Sequence, residues 1–318
     1  MTTASPASVM CAVANRMSPR SPRRGRGGSA LLLVVWAVLM ITAALLAWIN
    51  FMQVDLERSA DSNREVEARA MARSGVAIGL HPLVSEKTPG LEEEVASQMG
   101  FRVRLVGEGG KLNINWLLAG EEPRKLDMLR AWLDLHGVKF DERERLMDCL
   151  LDYVDGDNLK RMHGMEDEPG YTPANRPLQS IDEMEQIPGM EPLLQSPGWK
   201  DELTIYSSGP LDLSAADESI LRLLNLGDAR IAAFLNIRRG RDGIDGTEDD
   251  RVFKNLKEIQ SYLGLSEAQF KNLSGLVVHK DQTQRIISEG HSANVVRQIE
   301  VVARKGGGAN PAILLWKE

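Results

Sequence analysis

From Ala30 to Ile49 the sequence runs for twenty residues without a charge, and Thr42 is the single polar side chain among them. As a helix rising ~1.5 Å per residue this run is ~30 Å long, enough to cross the hydrocarbon core of a bilayer. Five arginines (Arg16, Arg20, Arg23, Arg24, Arg26) precede it, and residues 1–50 contain no acid and no lysine. Basic residues collect on the cytoplasmic side of a membrane, so residues 1–28 are expected inside and the remainder in the periplasm or an equivalent exterior. A secretory signal peptide would have a shorter apolar core followed by small residues at its cleavage site. Here Gly27, Gly28 and Ser29 come before the apolar run.

The helical pattern continues past the apolar run. Asn50 to Leu80 contains no proline, and Val66, Ala70, Ala77 and Leu80 recur at helical spacing among Glu57, Arg58, Arg64, Glu65, Glu67 and Arg69 until Pro82. A helix from Ser29 to about His81 would be ~80 Å long, with 29–49 apolar and 50–82 amphipathic. A simple membrane anchor with a stalk would read the same way.

Beyond this helix the chain is acidic. Of 38 Lys and Arg, five lie in the first 50 residues, leaving 33 against 45 Asp and Glu, a net charge of -12. Such a body argues against general affinity for nucleic acid or anionic lipid and leaves room for cations. Cysteine occurs only as Cys11 and Cys149. Loss of the first segment would therefore leave no pair for a disulfide, and Cys149, in an apolar helical stretch, reads as a buried, inert thiol.

Short strands are expected at the two ends of the body. Phe101–Val106 alternates apolar and polar residues, Gly107–Gly110 reads as a hairpin turn, and Lys111–Asn115 as the returning strand. Residues 284–290, 293–305 and 312–317 also favour strands. The sheet would thus be built from 83–116 and 282–318, with a helical block inserted between. That block carries a weak internal repeat: Ser180–Met190 and Asn255–Leu265 each have a capping residue, apolar positions at helical spacing and a glycine ten residues in.

Two acidic segments carry the donor chemistry. Asp152, Asp155, Asp157 and Asn158 are followed by Gly164, Glu166, Asp167 and Glu168, and then by Tyr171-Thr-Pro-Ala-Asn-Arg-Pro177. Hard cations take six to eight oxygen ligands, and a glycine-punctuated acidic loop can wrap its carboxylates around one. The frame of an EF-hand is missing. The second segment, Arg241 to Asp250, holds Asp242, Asp245, Asp249 and Asp250 around two glycines. Solvated acidic loops are the plainer reading of both. His136, His163, His279 and His291 are scattered without zinc-ligand spacing, and no nucleophile-elbow or phosphate-loop motif occurs, so no enzyme is expected.

Arg26-Gly27-Gly28-Ser29-Ala30-Leu31-Leu32-Leu33-Val34-Val35-Trp36 resembles the prepilin peptidase site of type IV pilins and pseudopilins, which implies cleavage between Gly28 and Ser29 and methylation of the new terminus. Pilin-like families carry glutamate as the fifth mature residue, where this chain has Leu33. That departure, with Ala30-Leu31-Leu32 and Trp36, resembles the minor pseudopilin K (GspK) family of type II secretion systems. A carboxylate buried in a filament core needs a neighbour's amino terminus, which a subunit at the tip lacks, so an apolar residue suits that place. The acidic pattern of residues 152–177 is similar to the signature of this family.

The resemblance implies an α+β fold: a long N-terminal transmembrane spine helix, a pilin-like antiparallel sheet, and a large inserted α-helical domain of two SAM-like subdomains at 117–202 and 203–281. It implies a 1–28 leader, a single pass through the inner membrane with a cytoplasmic N-terminus and a periplasmic body, and a tip position with minor pseudopilins of the I and J types. It further implies one or two calcium ions, with Asp155, Asp157 and Glu166 as first candidates, Asp152 and Asp167 next, and the second loop as another. Two other readings stand beside it. Glycine-stopped hairpins such as Ile187–Met190 are similar to helix-hairpin-helix modules, as in a membrane-tethered DNA receptor of a competence system, but Glu191 directly follows the hairpin. A type IV minor pilin is the nearer alternative, and Leu33 speaks against it.

Overall fold

The computed structural model describes residues 27–85, 88, 91–247, 249–306 and 310–318. The arginine cluster, Cys11 and all but the last two residues of the expected leader lie outside the described residues. The chain divides into two units, one ending at Ala60 and the other spanning Asp61–Glu318. Helix α1 (Gly27–Gly79) contributes to both.

In the first unit every described side chain from Ala30 to Ser59 is exposed. The helix is long and apolar enough to cross a membrane. In water so large an apolar surface would be untenable, whereas in lipid it needs no protein partner.

In the second unit the end of α1 is followed by strands β1 (Glu92–Ala96) and β2 (Met99–Gly107). The chain then leaves the sheet through β3 (Leu112–Asn113), α2 (Ile114–Leu118), α3 (Pro123–Leu135), α4 (Phe140–Val154), α5 (Glu191–Leu194) and β4 (Leu203–Thr204). It continues through β5 (Leu211–Asp212), α6 (Glu218–Leu221), α7 (Asp228–Arg238), α8 (Leu256–Leu263), α9 (Glu267–Leu273) and β6 (Val277–Val278). Strands β7 (Thr283–Ser292), β8 (Val295–Arg304) and β9 (Ala312–Lys317) complete a five-stranded antiparallel sheet of order β1-β2-β7-β8-β9. The α+β class and the inserted helical domain are as expected.

Of the apolar positions at helical spacing, Val66, Ala70 and Ala77 are exposed and Leu80 packs against the sheet core, while Ala68, Ala72, Gly75, Val76 and Gly79 are buried. Size selects the face here. A Cβ placed on Gly290 of β7 would lie 2.1 Å from the Ala68 carbonyl oxygen, and one on Gly75 would lie 2.2 Å from Ser288 Oγ. Helix and strand approach so closely that small residues must line the contact, which is closed by Phe101, Val103, Ile286, Ile299 and Val301.

The hairpin expected at Gly107–Gly110 does not form. Residues Glu108–Gly110 make a 3-10 turn, and β3 pairs in parallel with β4, not with β2. The cause is Glu108, which is fully buried and takes Arg285 Nε at 2.9 Å, Arg285 Nη2 at 2.7 Å and the Thr204 hydroxyl at 2.6 Å. A Cβ on Gly109 would fall 2.2 Å from Asp281 Cβ, and one on Gly110 would fall 2.3 Å from the Ala215 carbonyl oxygen. This turn therefore bolts the insert to the sheet.

Each half of the insert is closed by a two-residue parallel ladder, β3 with β4 and β5 with β6. The second residue of each opening strand holds the chain beyond the closing strand: Asn113 Nδ2 donates to the Ser207 carbonyl at 2.9 Å, and Asp212 Oδ2 accepts from the Asp281 N–H at 2.8 Å. One apolar core runs through both halves, including Trp132, Leu150, Met184, Phe234 and Ile259. The repeated phrases are capped alike: the Ser180 hydroxyl accepts from the Asp182 N–H, and Asn255 Oδ1 accepts from the Glu258 N–H. Gly189 and Gly264 both have positive φ, at 87° and 64°. The first phrase is a 3-10 turn and the second is α8.

Candidate metal centre

Helix α4 buries Leu146, Met147, Leu150 and Leu151 and carries Asp152, fully buried, on its last turn. Asp155 caps the helix, its N–H reaching the Leu151 carbonyl. The loop that follows folds back over Asp152. A Cβ on Gly164 would sit 1.8 Å from Asp152 Oδ2, so the fold-over needs glycine there.

The loop supplies its own cation. Arg161 Nη1 lies 2.6 Å from Asp152 Oδ1 and 2.5 Å from Asp155 Oδ2, and Nη2 lies 2.8 Å from Glu121. Burial opposes the charge of this guanidinium, but the surrounding carboxylates outweigh it and raise its pKa. Asp152 is thereby committed to Arg161, and Asp167 accepts from the Thr172 hydroxyl at 2.8 Å. Neither joins the cluster that forms.

That cluster is Asp155, Asp157 and Glu166, with one carboxylate oxygen of each within 4.8 Å of the others. Glu166 is only 6% exposed. Both of its oxygens, and Asp155 Oδ1, are buried without a hydrogen-bond partner. Burial raises the Glu166 pKa, and Asp152, Asp155 and Asp157 push it further in that direction. Orphaned buried carboxylates are costly, and a hard divalent cation with oxygen ligands is the species that would satisfy them. The donor set therefore fits calcium.

The second cluster, Asp242, Asp249 and Asp250, has carboxylate oxygens equally close together. Its chemistry differs because the loop already supplies donors. Asp249 accepts from the Arg241 N–H at 2.6 Å and the Thr247 hydroxyl at 2.8 Å, Asp250 from the Gly246 N–H at 2.7 Å, and Asp242 from the Ile244 N–H at 2.8 Å. The Arg241 and Asp242 N–H groups and the Thr247 hydroxyl hold Asp249 low, at a pKa of about 2. Asp245 turns away to Arg238 and Arg239, at 3.0 and 2.8 Å. The fit to a cation is thus weaker here.

Both clusters lie between a helix (α4, α7) and one of the two capped phrases, at corresponding places of the two halves. Cys149 fits its plain reading: it is buried, its Sγ lies 3.6 Å from the His163 carbonyl oxygen, and burial pushes the thiol up to about 11. Arg161 and Glu121 were not singled out in the sequence. An arginine inside an acidic loop was the available signal for the first, and nothing marked the second.

Residues 110–196, which contain α2–α5 and the whole first acidic loop, match the family model for type II secretion system (T2SS) protein K. No curated protein matches the sequence. Among solved structures, a chain of the crystal structure of the GspK-GspI-GspJ complex from the enterotoxigenic Escherichia coli type 2 secretion system is similar, with a TM-score of 0.58 at 15% identity. The likeness covers 84% of this chain and 98% of that one, and at such identity it is a likeness of fold. Residues 110–196 thus carry a domain similar to that of type II secretion system protein K, set in a fold similar to that of a chain of the GspK-GspI-GspJ complex.

Proposed function

We propose that this protein is a minor pseudopilin at the tip of a type II secretion pseudopilus, where it assembles with pseudopilins of the I and J types and supports protein export across the outer membrane. Its role is structural. One observation carries the reading: the domain similar to protein K interrupts a sheet packed on the end of the same helix that carries the uncharged apolar run Ala30–Ile49. A bulky insert on a pilin-like frame suits a subunit above which no further subunit is added. In this reading prepilin peptidase cuts between Gly28 and Ser29, Ala30–Ile49 anchors the protein in the inner membrane with its N-terminus in the cytoplasm, and the body is periplasmic.

Calcium belongs to the same proposal, with Asp155, Asp157 and Glu166 as its ligands. The ion would neutralise carboxylates that otherwise repel one another and so fix the loop of residues 155–170. The second acidic loop is proposed as a weaker site.

Co-expression of the tagged full-length chain with I- and J-type pseudopilins, followed by purification from membranes, tests the assembly. Recovery of all three in one complex, with a first residue at Ser29, is expected. Recovery of this chain alone with an intact Met1 would refute the proposal.

A further inference from the structure

The cation that the first acidic loop supplies for itself shares a carboxylate with the candidate calcium ligands. Helix α4 ends at Val154, and the half-buried guanidinium of Arg161 returns to the acids on either side of that end. Nη1 lies 2.6 Å from Asp152 Oδ1 and 2.5 Å from Asp155 Oδ2, while Nη2 reaches Glu121 at 2.8 Å. Lys160, its neighbour in sequence, is turned to Glu168 at 2.6 Å.

This arrangement sorts the acids by what they still offer an ion. Asp155 has one oxygen on Arg161 and the other, Oδ1, buried without a partner, so it can give one oxygen and not two. Asp152 gives none. Its Oδ1 accepts from the guanidinium and its Oδ2 from the Arg161 backbone N–H at 3.3 Å. Gly164 closes over the same group, since a Cβ there would lie 1.8 Å from Oδ2. Glu166 is buried with both oxygens unpartnered and groups with Asp155 and Asp157.

Two effects of Arg161 therefore oppose a divalent ion at this place. Calcium takes six to eight oxygens, and Arg161 withholds Asp155 Oδ2 and both oxygens of Asp152. Its full positive charge also stands on the far side of the Asp155 carboxylate, away from bulk water, where like charges repel more strongly than in solution. A third effect runs the other way: a donor behind a ligand holds it in place, and losing such a donor ordinarily weakens metal binding. Here the donor is a full cation on the ligand itself, so charge and freed oxygens outweigh positioning.

We propose that Arg161 is a tethered competitor of calcium. It keeps the loop folded when the ion is absent and, by occupying Asp152 and one oxygen of Asp155, holds the site to a lower affinity than its carboxylates would give alone. The inference rests on the reading of Asp155, Asp157 and Glu166 as calcium ligands and adds what regulates them.

The test is isothermal titration of calcium into the full-length protein in detergent, with heat assigned to this site by its loss in E166Q. R161Q alone would strand the buried Asp152 carboxylate, so the variants compared are D152N and D152N/R161Q, which leave no such charge and differ only in the guanidinium. D152N should bind calcium no more tightly than wild type. D152N/R161Q should bind it about tenfold more tightly than D152N and gain more in melting temperature at equal calcium. A role in positioning alone predicts the reverse, because a loosened Asp155 would bind more weakly. Equal or weaker binding by D152N/R161Q than by D152N would overturn the proposal and leave the calcium reading standing. Absence of E166-dependent heat in wild type and in both variants would overturn the two together.

Discussion

Replacing Glu166 by glutamine should have opposite effects on stability with and without calcium. In calcium-free buffer Glu166 is a carboxylate 6% exposed, with both oxygens unpartnered and with Asp155 and Asp157 in reach. Leaving such a group unsatisfied costs about 1–3 kcal/mol, and the amide keeps the shape while removing the charge. E166Q is therefore expected to gain about 1–2 kcal/mol, or about 2–6 °C in melting temperature for a unit of this size. With calcium at a hundred times its dissociation constant, the wild-type protein should gain about 2.7 kcal/mol by mass action, and a variant missing one of three carboxylate ligands should lose most of that gain. The two melting curves then exchange order. Differential scanning fluorimetry of the full-length protein in detergent, in chelator and in millimolar calcium, reads this directly. An E166Q protein less stable than wild type in chelator, or an equal calcium shift in both proteins, would refute the reasoning.

Three further outcomes follow from the same structure. R161A should cost about 3–5 kcal/mol, because it leaves the fully buried Asp152 without its cation; urea denaturation of the two proteins measures it. G290A should cost about 1–3 kcal/mol or more and expose the apolar face of the sheet, since its Cβ would lie 2.1 Å from the Ala68 carbonyl oxygen; near-ultraviolet circular dichroism and thermal melting report it. Burial works against Glu108's charge, but hydrogen bonds and charge attraction from Arg285 outweigh it and hold its pKa below the usual value. Because the folded pKa is the lower one, this group's stabilisation is complete above about pH 4.5 and is lost as pH falls through the folded value. E108Q should flatten the acid limb of the stability curve, seen as a smaller drop in melting temperature between pH 6 and pH 3.

The strands at 283–292, 295–304 and 312–317 were legible because each alternates or concentrates β-favouring side chains between breakers, and each pairs with a sequence neighbour. The partner of β3 was not legible. Leu112 and Asn113 meet Leu203 and Thr204 about ninety residues later, and a two-residue ladder leaves no periodicity to read. Likewise Ser180–Met190 and Asn255–Leu265 look alike as strings, yet the first tightens to a 3-10 turn with Met184 and Met190 in the core. At the acidic loops the sequence supplied the right neighbourhood and too many candidates. Asp152 and Asp245 look like ligands in the sequence, but the folded loops turn them to Arg161 and Arg238, whereas Asp155, which Arg161 also meets, keeps Oδ1 buried without a partner and groups with Asp157 and Glu166.

The sequence by itself determined the properties that depend on composition and local order: an uncharged run long enough for a bilayer, a helix with no breaker until Pro82, and acidic loops punctuated by glycine. These follow from transfer free energies and backbone preferences, which act residue by residue. Only the tertiary structure decided which carboxylates stand free and which are neutralised, which face of α1 meets the sheet, and that Glu108 locks the insert to β7. The second and third turn on contacts between residues far apart in the chain, and the first on which way a folded loop turns its side chains. Both are set by packing and charge pairing that no local pattern encodes.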